Sequence, residues 1–246
     1  MDWFVRDFDH PAYFEIYANK LREAEEEGPA LASCLNVPPR SLVLDIPCGW
    51  GRLHPYWLEK GWRTVGGDLS ALNLAMHATK HPTDLIRLDF RRLPFRDSVA
   101  DALMCAFTSW GYFLEDADNM RQLYEFARVM KPGAPLILDL AGRHYLEKAV
   151  ALVGDTWTTV QDGDYREYVH WSQDKKRIIA DRIKNGHRFS HNIWIPTDSD
   201  IRKALAQAGF EIDNRWGGLY GEPWSEMAER WIYRAARVRE RHNMVQ

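Results

Sequence analysis

Asp45, Gly49, Gly51 and Asp68 fall within one short stretch, and their types and spacing suit the cradling of a polar ligand. In LVLDIPCGWG (residues 42–51) a buried-looking apolar run ends in an acid and a glycine loop. In TVGGDLS (residues 64–70) the next such run again ends in an acid, with Ser70 placed to cap a helix. Glycines let a backbone turn tightly and let a ligand approach it closely. A helix that starts after such a loop offers unpaired N–H groups and a positive dipole end. Asp68, at the tip of the second run, can accept both hydroxyls of a ribose diol. Strand, glycine loop, helix and acid-tipped strand make half of a nucleotide-binding βαβ unit.

The order of residues argues against a nicotinamide dinucleotide. The phosphate-binding fingerprint wants a third glycine where this chain has His54, and Asp45 would face a pyrophosphate with like charge. A carboxylate there suits a ligand carrying an ammonium and a sulfonium, a description that fits S-adenosylmethionine. LVLDIPCGWG resembles the first motif of class I S-adenosylmethionine-dependent methyltransferases. The resemblance continues in order. LDFRRLPF (residues 88–95) is similar to the third-strand segment, RDSVADALMCAF (96–107) to the lead-in and fourth strand, and RVMKPGAPLILDL (128–140) to the fifth. Pro47 and Trp50 stand where the family often has Gly and a small hydroxyl residue.

The elements that must position these residues follow from periodicity. Residues 41–140 alternate short apolar strands with helical segments, which implies a parallel sheet covered on both faces. Right-handed crossovers then bring Asp45, Asp68, Asp89 and Phe107 to one rim, where ligands bind in such sheets. The expected fold is α/β: a Rossmann-like, doubly wound, seven-stranded sheet whose last strand is antiparallel. An antiparallel β insertion after the fifth strand and an N-terminal helix are added to it. Along the chain this reads as one domain: a helical lid (1–40), a cofactor-binding core (41–140), a mainly β insertion (141–197), then the last helix and strands (198–246). Pro11 suits the first turn of a helix over residues 11–27, which Gly28-Pro29 should end. Asn185-Gly186 signals a tight hairpin, and Thr197 or Asp198 a helix cap. The polar tail from 237 reads as frayed.

The resemblance implies S-adenosylmethionine as cofactor. It places Asp45 and Gly49 near the methionine moiety, Asp68 on the ribose, and Asp89 with Phe90 on the adenine; Gly51, Leu69 and Phe107 complete the set. It also suggests that the N-terminal helix closes over the cofactor, with Tyr13 and Tyr17, one turn apart, near the sulfonium. FTSWGYF (107–113) offers Ser109, Trp110 and Tyr112 to an acceptor, and lacks the Asn/Asp-Pro-Pro-aromatic signature of enzymes that methylate bases or glutamine. If the acceptor must lose a proton, a His is the usual base; His191 and His144 are candidates, and His191 with Tyr17 is taken as the catalytic pair.

Composition narrows the acceptor. At 246 residues, 46% apolar and 27% charged, the chain can bury a full core. A net charge of −3 gives no general attraction to nucleic acid, and no apolar run reaches the length of a membrane span. Cys34, Cys48 and Cys105 show no C-x-x-C pairing, so neither disulfides nor a metal site is expected, and the location is read as cytoplasmic. The expectation is methyl transfer to an oxygen or nitrogen of a small molecule, by in-line displacement governed mainly by positioning. The alternative is a non-catalytic or non-methylating S-adenosylmethionine-binding protein of the same fold. Oligomeric state is left open.

Overall fold

Successive strand residues point to opposite faces of a sheet, and here both faces are apolar. The computed structural model describes residues 2–80, 83–160 and 164–238. Three helices come first, α1 (Trp3–Asp7), α2 (Ala12–Ile16) and α3 (Lys20–Leu35). The alternating core follows: β1 (Leu42–Asp45), α4 (His54–Glu59), β2 (Arg63–Asp68), α5 (Ala71–Lys80), β3 (Asp84–Arg87), β4 (Ala102–Cys105), α6 (Asp116–Val129) and β5 (Pro135–Ala141). After α7 (Arg143–Val153) comes a separate sheet of β6 (Thr158–Val160), β7 (Tyr165–Trp171), β8 (Arg177–Lys184) and β9 (His187–Trp194). The chain closes with α8 (Asp198–Gln207), β10 (Phe210–Trp216) and β11 (Arg230–Arg237).

The main sheet has the order β10-β11-β5-β4-β1-β2-β3, parallel except for β11, which runs antiparallel to both β5 and β10. Leu44, Leu103 and Leu138 pack on one face with Phe126 of α6 and Leu205 of α8. Their neighbours Val43, Met104 and Ile137 pack on the other with Leu31 and Leu35 of α3 and Trp57 of α4. Each such fully buried side chain contributes roughly 1.5–3 kcal/mol. Burial on both faces leaves the strand ends as the place for polar work. The insertion is antiparallel throughout, and its β8–β9 hairpin turns at Asn185 (φ 51°) and Gly186 (φ 76°). Two consecutive left-handed residues are what such a turn demands.

One expectation fails. The N-terminal helix breaks after Ile16 and restarts as α3, which then runs through Gly28-Pro29 to Leu35. Two features keep α3 intact across the proline. Leu31, Ala32 and Leu35 are buried as one stripe, and a Cβ on Gly28 would lie 2.1 Å from the Tyr56 ring, so the glycine lets α3 sit tightly on α4. Packing outweighs a proline penalty of about 3 kcal/mol here. Asn36, left-handed at φ 48°, ends the helix instead. The α8 cap is as expected: Thr197 and Asp200 form a reciprocal capping box. The tail expected to fray from 237 is ordered at its start, where Arg237 ends β11 and donates its N–H to the Ala134 carbonyl (3.0 Å); residues 239–246 lie outside the described residues.

Candidate functional site

β1 ends on Asp45, buried to 2% exposure, whose carboxylate accepts the Trp57 indole N–H at 2.9 Å. Burial pushes its pKa up to about 7; the Trp57 bond and Arg52 oppose the rise, and Asp68 adds to it. The loop that follows turns at Gly49 (φ 54°) and Gly51 (φ 76°). A Cβ on Gly49 would meet nothing within 4 Å, so this glycine keeps an open surface over the loop. Asp68 closes the loop from β2: its carboxylate accepts the Gly49 N–H at 2.9 Å and the Ser70 N–H at 2.8 Å. Burial raises its pKa, and these bonds hold it down.

The third and fourth strand ends complete the rim. Asp89 follows β3; burial works to raise its pKa, but bonds from the Arg91 guanidinium (2.6–3.1 Å) and backbone N–H hold it below its ordinary value. Beyond β4, Phe107 and Thr108 are both left-handed (φ 59° and 53°). Asp139 of β5 fixes that turn by accepting the Phe107 N–H on its carboxylate (2.8 Å) and the Thr108 N–H on its carbonyl (2.9 Å).

These ends open into one cavity of about 900 Å³, mouth included. Asp45, Gly49, Asp68, Leu69, Asp89 and Phe90 line it, and so do Phe107, Ser109, Tyr112 and Tyr17. Four of the expected site residues stand elsewhere. Gly51 serves packing, since a Cβ there would lie 2.2 Å from the His77 ring. Tyr13 sits behind the wall, against the rings of Phe8 and Tyr17 (4.8 Å each) and Trp50 (5.8 Å). Trp110 is fully buried, donates its indole N–H to the Asn119 carbonyl and packs on Trp194, so it supports the fold rather than meeting an acceptor.

His191 also lies off the cavity, buried to 2% beneath Trp3 and Phe8. Its Nδ1 is 2.6 Å from the Arg182 guanidinium and 3.5 Å from the Tyr17 hydroxyl. A guanidinium only donates, so Nδ1 is the acceptor and the proton sits on Nε2. Burial, then the Arg182 charge, push its pKa well below the ordinary value. With its lone pair engaged and its basicity suppressed, His191 does not suit a general base. His144 is tied to Glu147 (2.8 Å) on α7.

Several lining residues escape a reading by motif. Phe4, Phe8 and Lys20 descend from the N-terminal segment, and Trp50 and Arg52 come from the glycine loop. Helical spacing from Phe4 to Phe8 is the signal that could have found the first two, whereas Lys20 lies beyond the break after Ile16 and no local signal marks it. Arg52, with its side chain only 10% exposed, pairs through Nη1 with Glu27, while its buried Nη2 has no hydrogen-bond partner among the described residues. The buried Trp50 Nε1 has none either. Two orphaned donors and two buried carboxylates in one cavity fit a ligand that carries a carboxylate, an ammonium and a ribose diol. S-adenosylmethionine is such a ligand.

Comparison with known proteins agrees. Residues 44–138 match a family described as a methyltransferase domain. YqeM of Bacillus subtilis, which carries a methyltransferase name, is 24% identical over 215 residues, 81% of this chain and 85% of its own. A malonyl-[acyl-carrier protein] O-methyltransferase of Pectobacterium atrosepticum is 32% identical over 93 residues, 37% of this chain and 35% of its own. Among solved structures, an S-adenosylmethionine-dependent methyltransferase from Clostridium acetobutylicum superposes with a TM-score of 0.79 at 18% identity, covering 92% of this chain and 98% of that one. The S-adenosylmethionine-bound amino pentose methyltransferase CalS10 from Micromonospora echinaspora gives 0.64 at 17%, covering 93% and 98%. Residues 44–138 carry the methyltransferase-domain match, and the whole chain has the Rossmann-like fold of S-adenosylmethionine-dependent methyltransferases, to which it is similar. No described helix is long and apolar enough to cross a membrane.

Proposed function

We propose that the chain methylates an oxygen or nitrogen of a small molecule, with no role for nucleic acid. The observation that carries this reading is the cavity itself, which gathers strand-end carboxylates, unpaired donors and the Tyr17 hydroxyl under an aromatic roof. Asp68 takes the ribose hydroxyls, and Asp89 with Phe90 takes the adenine. Asp45 and Gly49 hold the ammonium end, and Arg52 the carboxylate. Leu69 and Phe107 fill between them. Ser109 and Tyr112 face the acceptor.

When bound, S-adenosylmethionine supplies a methyl group on a cationic sulfur, and transfer relieves that charge. The protein's share is to hold acceptor and methyl in line and exclude water, which can contribute roughly 7–11 kcal/mol. Phe4 and Phe8 exclude water from above. Tyr17 keeps its proton at neutral pH, because burial raises its pKa despite the nearby Arg182 charge, so it acts as a hydrogen-bond donor and positioner. The test is incubation with methyl-deuterated S-adenosylmethionine and a library of small hydroxyl and amine compounds. Label in a small-molecule product supports the reading; label found only in RNA or protein from an added lysate refutes it.

A further inference from the structure

An arginine has many rotamers, and keeping its guanidinium at one angle costs entropy unless a partner fixes it. For Arg52, which lines the cofactor cavity, that partner is Glu27 of α3, whose Oε2 accepts Arg52 Nη1. Glu27 is fixed in turn from the far end of the chain. Arg230, which opens β11, donates from Nη1 to Glu27 Oε1 at 2.7 Å. Its other side grips Asp139 of β5 as a fork, Nε to Oδ1 at 2.6 Å and Nη2 to Oδ2 at 2.7 Å.

Four charges thus alternate from the sheet to the cavity: Asp139, Arg230, Glu27, Arg52. The Asp139 and Glu27 side chains are only 2% and 5% exposed, and every oxygen of both carboxylates accepts a bond. Such a buried ion chain stabilises a fold no better than apolar packing of the same volume. What apolar packing cannot do is fix the direction of a charge. The fork on Asp139 sets the plane of Arg230, that plane sets Glu27, and Glu27 sets Arg52. The two carboxylates and two guanidiniums cancel, and the chain ends on the buried Arg52 Nη2, which has no hydrogen-bond partner among the described residues. A ligand carboxylate at that donor would complete the series. Of the four side chains, Arg52 alone lines the cofactor cavity, so the other three can act on a ligand there only through it.

We infer that Arg230 is a positioning residue for the methyl donor: through Glu27 it aims the Arg52 guanidinium at the donor's carboxylate while touching no ligand itself. This rests on the proposed assignment of Arg52 to that carboxylate, and adds the residues that make the assignment work. The adenosine end of the cavity stands apart from the series, because Asp68 accepts from Gly49 and Ser70, and Asp89 from Arg91. Disturbing Glu27 or Arg230 should therefore weaken a ligand that carries the amino-acid arm and spare one that lacks it.

The test is calorimetric titration with two ligands, S-adenosylhomocysteine and 5′-methylthioadenosine, which shares the adenosine and sulfur but has a methyl group in place of the amino-acid arm. The unsubstituted protein should prefer S-adenosylhomocysteine by about tenfold or more. Glu27→Gln, which leaves the Asp139 fork intact, and Arg230→Lys, which keeps a charge but cannot span both carboxylates, should each cut that preference by about fivefold or more. Affinity for methylthioadenosine should stay within about twofold in both, which also shows that they are folded. The double variant Arg52→Gln/Glu27→Gln should bind S-adenosylhomocysteine no more weakly than Arg52→Gln alone, the mark of a residue that acts through Arg52. Parallel weakening of both ligands, an unchanged preference, or losses that add in the double variant would each overturn the inference and leave the donor site standing. Equal affinity for the two ligands in the unsubstituted protein would remove the Arg52 assignment with it, and failure of both to bind would remove the donor site as well.

Discussion

The floor and the roof of the cofactor cavity are built on different length scales. In the floor, Gly49 reaches Asp68 across 19 residues, and Asp68 reaches Ser70 across two. In the roof, the Tyr17 hydroxyl meets His191 across 174 residues, and Asp7 accepts the Ser190 N–H across 183. The floor is a local motif whose geometry each βαβ turn enforces by itself. The roof exists only once the N-terminal segment has docked on β9 of the insertion. The strand-end carboxylates therefore belong to the part built from local contacts, and the aromatic cover to the part built from distant ones.

That contrast predicts separable failures. Arg182 ties the roof together by holding Glu167 (2.5 Å) and His191, with side chains 14% and 24% exposed for the ion pair. Arg182→Met should cost about 3 kcal/mol in denaturant unfolding, because it leaves Glu167 partly buried without its partner. A loss below about 1 kcal/mol would mean that the roof does not depend on this pair. Asp68→Ala acts on the floor, and should weaken S-adenosylmethionine tenfold or more, about 1.4 kcal/mol, by equilibrium binding. Unchanged affinity would remove the ribose assignment.

Asp45 sharpens the comparison through pH. Its carboxyl is raised to about 7 in the free protein, so the stability this group contributes is full below its ordinary value of 3.8 and is lost as pH rises through 7. A cationic ligand favours the ionised form. Affinity for S-adenosylmethionine should therefore climb by up to about tenfold per pH unit below 7 and level off above it, with a proton released on binding at pH 6. Calorimetry in two buffers of different ionisation heat reads that proton; flat affinity from pH 5.5 to 8 would contradict it. The smallest effect belongs to His191→Asn, which should change kcat less than about twofold once an acceptor is in hand. A hundredfold loss would restore His191 as a general base.

How far the chain could be read follows the same division. Asp89, two residues beyond β3, was reached only through the resemblance of its segment, whereas Asp45 and Asp68 were legible at the cavity rim because each ends a strand, one before a glycine loop and the other before a helix. The hairpin at Asn185-Gly186 and the cap at Thr197 were legible for the same local reason. Trp110 and His191 were misread because aromatic and imidazole rings serve buried packing as readily as ligand contact. Only the distant partners, Asn119 for one and Arg182 for the other, decide between the two. The course of α3 through Pro29 was hidden because its support, the Tyr56 ring on Gly28, comes from another helix. Arg52 lay in plain view beside Gly51, yet nothing local marks a guanidinium N–H that will be buried without a partner.

Calorimetric titration of the purified protein with S-adenosylmethionine, S-adenosylhomocysteine and NADH in parallel tests the central claim most directly. The strand-end carboxylates and orphaned donors predict micromolar binding of both adenosyl ligands and none of NADH. Binding of NADH alone, or of none of the three, would contradict the assignment of this cavity to a methyl donor.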